Sequence, residues 1–278
     1  MRAIFVGAAD SDRATIRREA FIRPPFYRGG RPLNNVSRGQ VGGRREEVMQ
    51  IGIIGAGHIG GTLTRRLTAL GHEVRVANSR GPHTLQALAR ETGATPVDVR
   101  EVGRDADIVI VAIPERCIPT LPPGVLDSAP PDAAIVDTGN FYPRQRDGRI
   151  EEIEAGMPES RWVEKHLGRP VIKAFNNMFA DHLLRRGKPR GTPGRIALPI
   201  AGDDPAAKAK VMKLVDELGF DPVDAGGLDE SWRQQPGTPV YATDLDVEGV
   251  RRALAAARPE RRPEFRAESP EEGIPAPS

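Results

Sequence analysis

A single cysteine among 278 residues excludes a disulfide framework and any cysteine-built metal cluster, which fits a reducing compartment, the cytoplasm. Histidine is almost as sparse: His58, His72, His83, His166 and His182 are scattered, no two stand at ligand spacing, and no metal site is expected. No apolar run approaches the about 18 residues that a membrane helix needs, so no membrane association is expected. A surplus of one charge is missing where it would count. The chain carries a net +2 and a pI near 8.8, but ten arginines against five acidic residues sit in residues 1–48, leaving 49–278 with a net of −3. The folded part is not basic, and no nucleic-acid partner is expected.

Residues 1–48 also lack periodicity and the apolar core of a secretory signal. They are set aside as a disordered or mis-annotated extension, with an arginine-rich targeting peptide as the other reading. Met49 stands directly before the first strand, and Arg45-Glu46-Glu47 is what a purine-rich ribosome-binding site would give if translated.

What the chain does have is Ile51-Gly52-Ile53-Ile54 running into Gly55-Ala56-Gly57-His58-Ile59-Gly60. The first four are the β-branched, wholly apolar residues of a parallel strand covered on both faces. In a Gly-x-Gly-x-x-Gly turn, Gly55 permits the bend, Gly57 admits a pyrophosphate close to the backbone, and Gly60 lets the next helix pack on the strand. Ile59, Leu63, Leu67 and Leu70 then recur at helical spacing up to Gly71, so the helix N-terminus faces the turn with free N–H groups, where phosphate binds. The strand Glu73–Ala77 completes a dinucleotide-binding βαβ unit. An NAD site places Asp or Glu at the end of the second strand; here stand Asn78, Ser79 and Arg80. A hydroxyl and a guanidinium fork suit a 2′-phosphate, which makes the cofactor NADP(H).

Alternating strands and helices continue: a helix over 84–92, strands at 94–97, 107–113, 133–137 and 170–174, and a proline-rich loop over 119–131. This is the pattern of an α/β, Rossmann-type, doubly wound, mostly parallel sheet. After Arg186 comes a linker, then a strand at 196–201, a helix capped by Asp203-Asp204-Pro205 with Ala207, Val211, Leu214, Val215 and Leu218 inward, and a strand at 220–223. The expected organisation is an NADP-binding domain over 49–186, a small C-terminal α/β region for substrate or dimerisation over 187–257, and a disordered tail over 258–278.

With the fingerprint, Asn78-Ser79-Arg80, Ala112-Ile113-Pro114, Asp137-Thr138-Gly139-Asn140, Val171-Ile172-Lys173-Ala174-Phe175-Asn176 and Asp224-Ala225-Gly226, the stretch from Met49 to about Gly227 resembles the coenzyme F420-dependent NADP oxidoreductases and the related cytosolic domain of the STEAP metalloreductases. The resemblance implies hydride transfer between NADP(H) and a deazaflavin (F420) or flavin, a homodimer, and Ala112, Ile113 and Pro114 lining the ribose and nicotinamide end of the cofactor. Two departures bear on the acceptor. Lys173-Ala174-Phe175-Asn176 looks more like the metalloreductase branch, and His83-Thr84 stand where the F420 enzymes carry a further phosphate-binding Lys.

No catalytic dyad is evident, which is compatible with hydride transfer between stacked rings, where approach and orientation dominate. Asn140 and Phe141, and Lys173, Phe175 and Asn176, follow or end strands at the carboxyl edge of the sheet and are the candidates to face a small-molecule hydride acceptor. Two other readings stay open. Lys173 with Asn176 is similar to the pair of the β-hydroxyacid dehydrogenases, which reduce small carbonyl compounds, although there it lies in a long helix. A non-catalytic NADPH sensor would use the segment from Trp232 to Tyr241 as its partner surface; that segment is equally a pocket cap, a dimer contact or a packed loop. Cys117 reads as a small buried hydrophobe.

Overall fold

The computed structural model describes residues 47–267, so the extension up to residue 46 and the chain from 268 onward, with the readings made of them, lie outside the described residues. Strand β1 (Gln50–Ile54) leads through the glycine turn into helix α1 (His58–Ala69) and strand β2 (Glu73–Ala77). Leu63 and Leu67 of α1 are fully buried, each contributing about 2 kcal/mol. Ile59 and Leu70 flank them half-buried. The expected helix over 84–92 begins as a 3-10 turn at Pro82–Leu85 and becomes helix α2 (Gln86–Thr92). Strand β3 (Thr95–Pro96) is short; β4 (Ile108–Val111) and β5 (Ala134–Asp137) are buried throughout. Helices α3 (Glu151–Glu154) and α4 (Glu159–Leu167) precede β6 (Val171–Lys173), which is followed by α5 (Ala180–Arg185).

These six strands are all parallel, in the order β3-β2-β1-β4-β5-β6, with Ile53 of β1 opposite Val76 of β2 and Ile110 of β4. Alternate residues feed two cores. Ile51, Ile53, Ile108, Ile110 and Val136 pack with α1 on one face; Ile54, Val109, Val111 and Ile135 pack with Trp162 and Val163 of α4 on the other. Both faces are covered, as the unbroken apolar strands require.

Strand β7 (Ala197–Ile200), helix α6 (Pro205–Glu217) and strand β8 (Asp221–Asp224) form a second parallel pair, closed by helix α7 (Val247–Ala255). The Asp204 side chain accepts from the backbone N–H groups of Ala206 and Ala207, the cap expected from the sequence. The boundary expected at residue 186 is not a hinge. Lys173 and Ala201 exchange two backbone hydrogen bonds (2.7 and 3.1 Å) in an antiparallel bridge, and Val211, Leu214 and Phe220 join the same core as Ile51.

One expectation is corrected. Residues 258–267, read as part of a disordered tail, form a strap with a 3-10 turn at Pro263–Phe265. Arg261 reaches inward to the buried Glu159 (2.9 Å) and lies over the Phe141 ring at 5.2 Å. Proline, glutamate and arginine enrichment signals weak intrinsic structure, but here buried partners supply the ordering energy.

Candidate functional site

At the nucleotide end each glycine meets a physical requirement. Gly55 has φ +105°, and a Cβ there would lie 2.3 Å from the Ala112 carbonyl oxygen. A Cβ on Gly60 would lie 2.0 Å from the carbonyl oxygen of Gly55, so only glycine lets the helix sit this close to the turn. Gly57 is different: a Cβ would meet nothing within 4 Å. It faces open space at the N-terminus of α1, where no side chain caps the helix and no acidic residue stands in the first turn. Its neighbour His58 is exposed, and Ala56 and Ile59 are half-buried. Free N–H donors, the positive end of a helix and room beside the backbone fit a dinucleotide pyrophosphate.

The loop after β2 lies alongside, because the N–H of Gly55 donates to the carbonyl of Ala77 (2.8 Å). Asn78 shapes it: Oδ1 accepts from the N–H of Arg80 (3.0 Å) and Nδ2 donates to Thr84 Oγ1 (2.9 Å). Ser79 and Arg80 are left exposed, and Arg80 makes no ion pair among the described residues. Ala112, Ile113 and Pro114 follow β4 half-buried, with Ala112 against the fingerprint.

At the other end of the strand edge the structure revises the expected acceptor contacts. Asn140 alone of the five is half-exposed. Phe141, Lys173 and Phe175 are fully buried and Asn176 nearly so, and none of these four faces open space. Asn140 and Asn176 are instead partners: Asn140 Nδ2 donates to the Asn176 carbonyl (2.7 Å), and Asn176 Nδ2 donates to Asn140 Oδ1 (3.0 Å). Gln234 joins them through Nε2 to Asn176 Oδ1 (2.9 Å). Ala242 donates its N–H to the Asn177 carbonyl (3.0 Å). The segment from Trp232 to Tyr241 is therefore packed over the loop after β6. Phe175 is held at φ +62°, a conformation that costs an aromatic residue about 1–3 kcal/mol and marks a loop whose shape the surroundings dictate.

Beneath these loops lies a buried charge cluster. Lys173 Nζ donates to Asp137 Oδ2 (3.0 Å) and to the Gly139 carbonyl (2.6 Å), and Ser160 Oγ also donates to Asp137 Oδ2 (2.7 Å). Glu115, directly after Pro114, accepts from Arg146 Nη2 through Oε2 (3.1 Å), and Arg146 also pairs with Asp147 at 2.9 Å. Asp147 Oδ2 in turn accepts from the N–H of Tyr142 (2.8 Å). Glu159 pairs with Arg261 at 2.9 Å. Four carboxylates thus face three cations. Burial, reinforced by Glu159 and Asp137, pushes the Glu115 carboxyl well above its usual range. Burial also raises Glu159, against the pull of Arg261 and Lys173. Burial works against the Lys173 charge, but Asp137, Glu159 and Glu115 outweigh it and hold Lys173 above its ordinary value. A Cβ on Gly139 would lie 2.3 Å from Glu115 Oε1, so this glycine is needed to seat the carboxyl. At the rim, Tyr142 and Tyr241 hydroxyls are hydrogen-bonded, and burial raises both phenols.

Sequence reasoning found Lys173 and Asn176 but not their setting. Glu115 carried one local signal, a charge next to a strand-ending proline. Gln234 and Tyr241 lay in a segment already marked as unusual. Nothing local links Glu159 to Arg261.

Compared with known proteins, residues 50–141 match the family described as NADP oxidoreductase, coenzyme F420-dependent. The Escherichia coli K12 protein YjhV is 46% identical over 90 residues, 32% of this chain and 58% of its own length, so the match leaves over a third of that relative uncovered. The crystal structure of SMa0349 from Sinorhizobium meliloti, a protein described as hypothetical, is similar at 30% identity with a TM-score of 0.61, over 71% of this chain and 95% of that one. An Arthrobacter sp. FB24 protein, described as a proposed F420-dependent NADP-reductase, shares the fold at 23% identity and a TM-score of 0.53, over 65% of this chain and 86% of that one.

Proposed function

Since this chain belongs to the family of coenzyme F420-dependent NADP oxidoreductases, and so to the NAD(P)-dependent oxidoreductases, we propose that it transfers hydride between NADP(H) and a planar deazaflavin or flavin. The observation that carries the choice of NADP(H) is the loop ordered by Asn78, which presents Ser79 and Arg80, exposed and unpaired among the described residues, beside the glycine turn. In this reading the α1 N-terminus and Gly57 take the pyrophosphate. Arg80 and Ser79 take the 2′-phosphate, and Ala112, Ile113 and Pro114 line the nicotinamide end. When bound, the nicotinamide supplies or receives the hydride.

The protein's own part is placement. The paired Asn140 and Asn176, locked by Gln234, hold the two loops at the carboxyl edge in one arrangement, and Lys173 and Asp137 hold Gly139 from below. The ionisable groups of the cluster are consumed in internal pairs, which suits a reaction that asks the protein for orientation rather than for an acid or base. Lys173 on a strand and fully buried does not favour the hydroxyacid dehydrogenase alternative.

The test follows nicotinamide absorbance with NADPH or NADH and, in parallel, F420, FMN, FAD, and FAD with a ferric chelate. Acceptor-dependent oxidation of NADPH is expected. Saturable binding of NADPH with no oxidation by any of these would favour the sensor. Arg80→Ala should weaken NADPH by about 10- to 100-fold, as expected for lost charge-assisted bonds, and leave NADH unchanged; equal losses for both would sink the assignment.

A further inference from the structure

A cavity of about 660 Å³ lies between the C-terminal strap and the segment from Asp229 to Pro239, away from the glycine turn. Its volume is in the range of small-molecule sites, about 300–1,000 Å³. Met157, Pro158, Trp232 and Pro236 give it an apolar floor, and the strap contributes Arg258, Arg261, Arg262 and Arg266. The lining carboxylates are three against four arginines, and one of them is neutralised by a cation outside the cavity. Glu154 accepts from the N–H of Ala267 (2.8 Å), and Asp229 pairs with Arg161 (2.6 Å), which leaves Glu260. Arg258 and Arg262 make no ion pair among the described residues.

Two further donors of the lining side chains are buried without a partner among the described residues, as is the Glu159 Oε2 beside them. Gln235, 7% exposed, lines the cavity; its Oε1 accepts from Arg261 Nη2 (3.3 Å), while Nε2 has no partner among the described residues. Arg261 Nη1 is likewise buried and unpartnered. Orphaned buried donors are costly and uncommon, and here both belong to side chains that line one cavity. Unpaired guanidinium groups over an apolar lining together select an anion with a carbon body.

We propose that this cavity is a second binding site, for a small molecule bearing a phosphate or carboxylate, held by Arg262 and Arg258 over the apolar lining. Arg261 ties the site to the acceptor loop, since the same guanidinium pairs with Glu159 and lies over Phe141. The anion comes either from a free metabolite or from the phosphate tail of an acceptor.

The experiment is calorimetric titration of the full chain with inorganic phosphate, citrate, FMN and riboflavin at an ionic strength fixed with sodium chloride, with tryptophan fluorescence reporting Trp232. Saturable binding of citrate or FMN is expected, weakened about tenfold or more in the Arg258→Ala/Arg262→Ala double variant, with NADPH affinity unchanged. FMN binding far tighter than riboflavin and displaced by phosphate would identify the acceptor's own tail. Saturable binding of citrate or phosphate with none of FMN would identify a free anion; both outcomes support the site. No saturable binding of phosphate, citrate or FMN, or equal affinity in the double variant, overturns it. Arg80→Ala separates this site from the nucleotide reading, because it should leave citrate binding intact while weakening NADPH.

Discussion

The nucleotide end is shaped inside one βαβ unit: the N–H of Gly55 meets the carbonyl of Ala77, and Asn78 folds back on Arg80 two residues away. The acceptor end is assembled from residue 115 to residue 261, with Asp137 held by Lys173, Glu115 by Arg146 and Glu159 by Arg261. One end spends its chemistry on leaving donors free for a ligand. The other ties its buried charges to one another across the chain, although single atoms such as Glu115 Oε1, Glu159 Oε2 and Arg261 Nη1 stay without a partner among the described residues. A binding surface keeps hydrogen-bonding capacity exposed to a ligand, while a buried cluster that positions loops turns its charges inward on one another.

The largest expected effect breaks the acceptor end alone. Lys173→Met leaves Asp137 buried without its cation and should cost about 3–5 kcal/mol of stability by thermal or urea unfolding, while the folded fraction keeps its NADPH affinity. Turnover lost with stability intact would instead mean that Lys173 acts on the substrate. Gly60→Ala strikes the other end. Its Cβ, 2.0 Å from the Gly55 carbonyl oxygen, should cost about 1–3 kcal/mol and, unlike the lysine change, carry away nucleotide binding. If nicotinamide fluorescence still reports tight NADPH binding in that variant, the close approach of helix and turn is not what the site needs.

The remaining two sharpen the contrast. Asp204→Ala removes the cap of α6 and should cost about 1 kcal/mol with no effect on NADPH affinity, a control for damage remote from both ends. Glu115→Gln should change stability least at acid pH, below the ordinary carboxylate range, where the carboxyl it replaces is protonated in the folded and the unfolded chain alike. Its signature is in the pH dependence. The folded carboxyl holds its proton to a higher pH than the unfolded one, so the stability it contributes is complete below the ordinary carboxylate range and drains away as pH rises. The amide has no proton to lose, and unfolding followed from about pH 5 to about pH 9 should show a shallower decline in Glu115→Gln than in the parent, with Glu159 supplying the slope that remains. Identical slopes would mean that Glu115 is ionised in the folded protein.

The same contrast explains what the sequence let a reader see. Gly55, Gly57, Gly60, Asn78 and Arg80 are legible because spacing alone fixes their neighbours, and the apolar strands are legible because a sheet covered on both faces admits nothing else. Asp204 and Pro205 announce their helix for the same local reason. Lys173, Phe141 and Phe175 were placed correctly along the strands and turns but not in depth: position at a carboxyl edge says which end of the sheet a residue occupies, and burial depends on what folds over it. Here that cover includes Arg261 over the Phe141 ring and Gln234 on the loop after β6, tens of residues away. Arg261 sat in a composition that reads as disorder, and only the buried Glu159 carboxylate gives it a fixed place.

The pairing of Glu159 with Arg261 has a consequence for how the chain is made. The two are separated by 102 positions, and ribosomes add roughly 5–20 residues each second, so about 5–20 s pass after Glu159 is synthesised before its partner exists. Throughout that interval the βαβ unit at the front of the sheet already has every residue it needs. The buried charge cluster has a carboxylate that is expensive to bury, and its Arg261 partner does not exist until the strap is made.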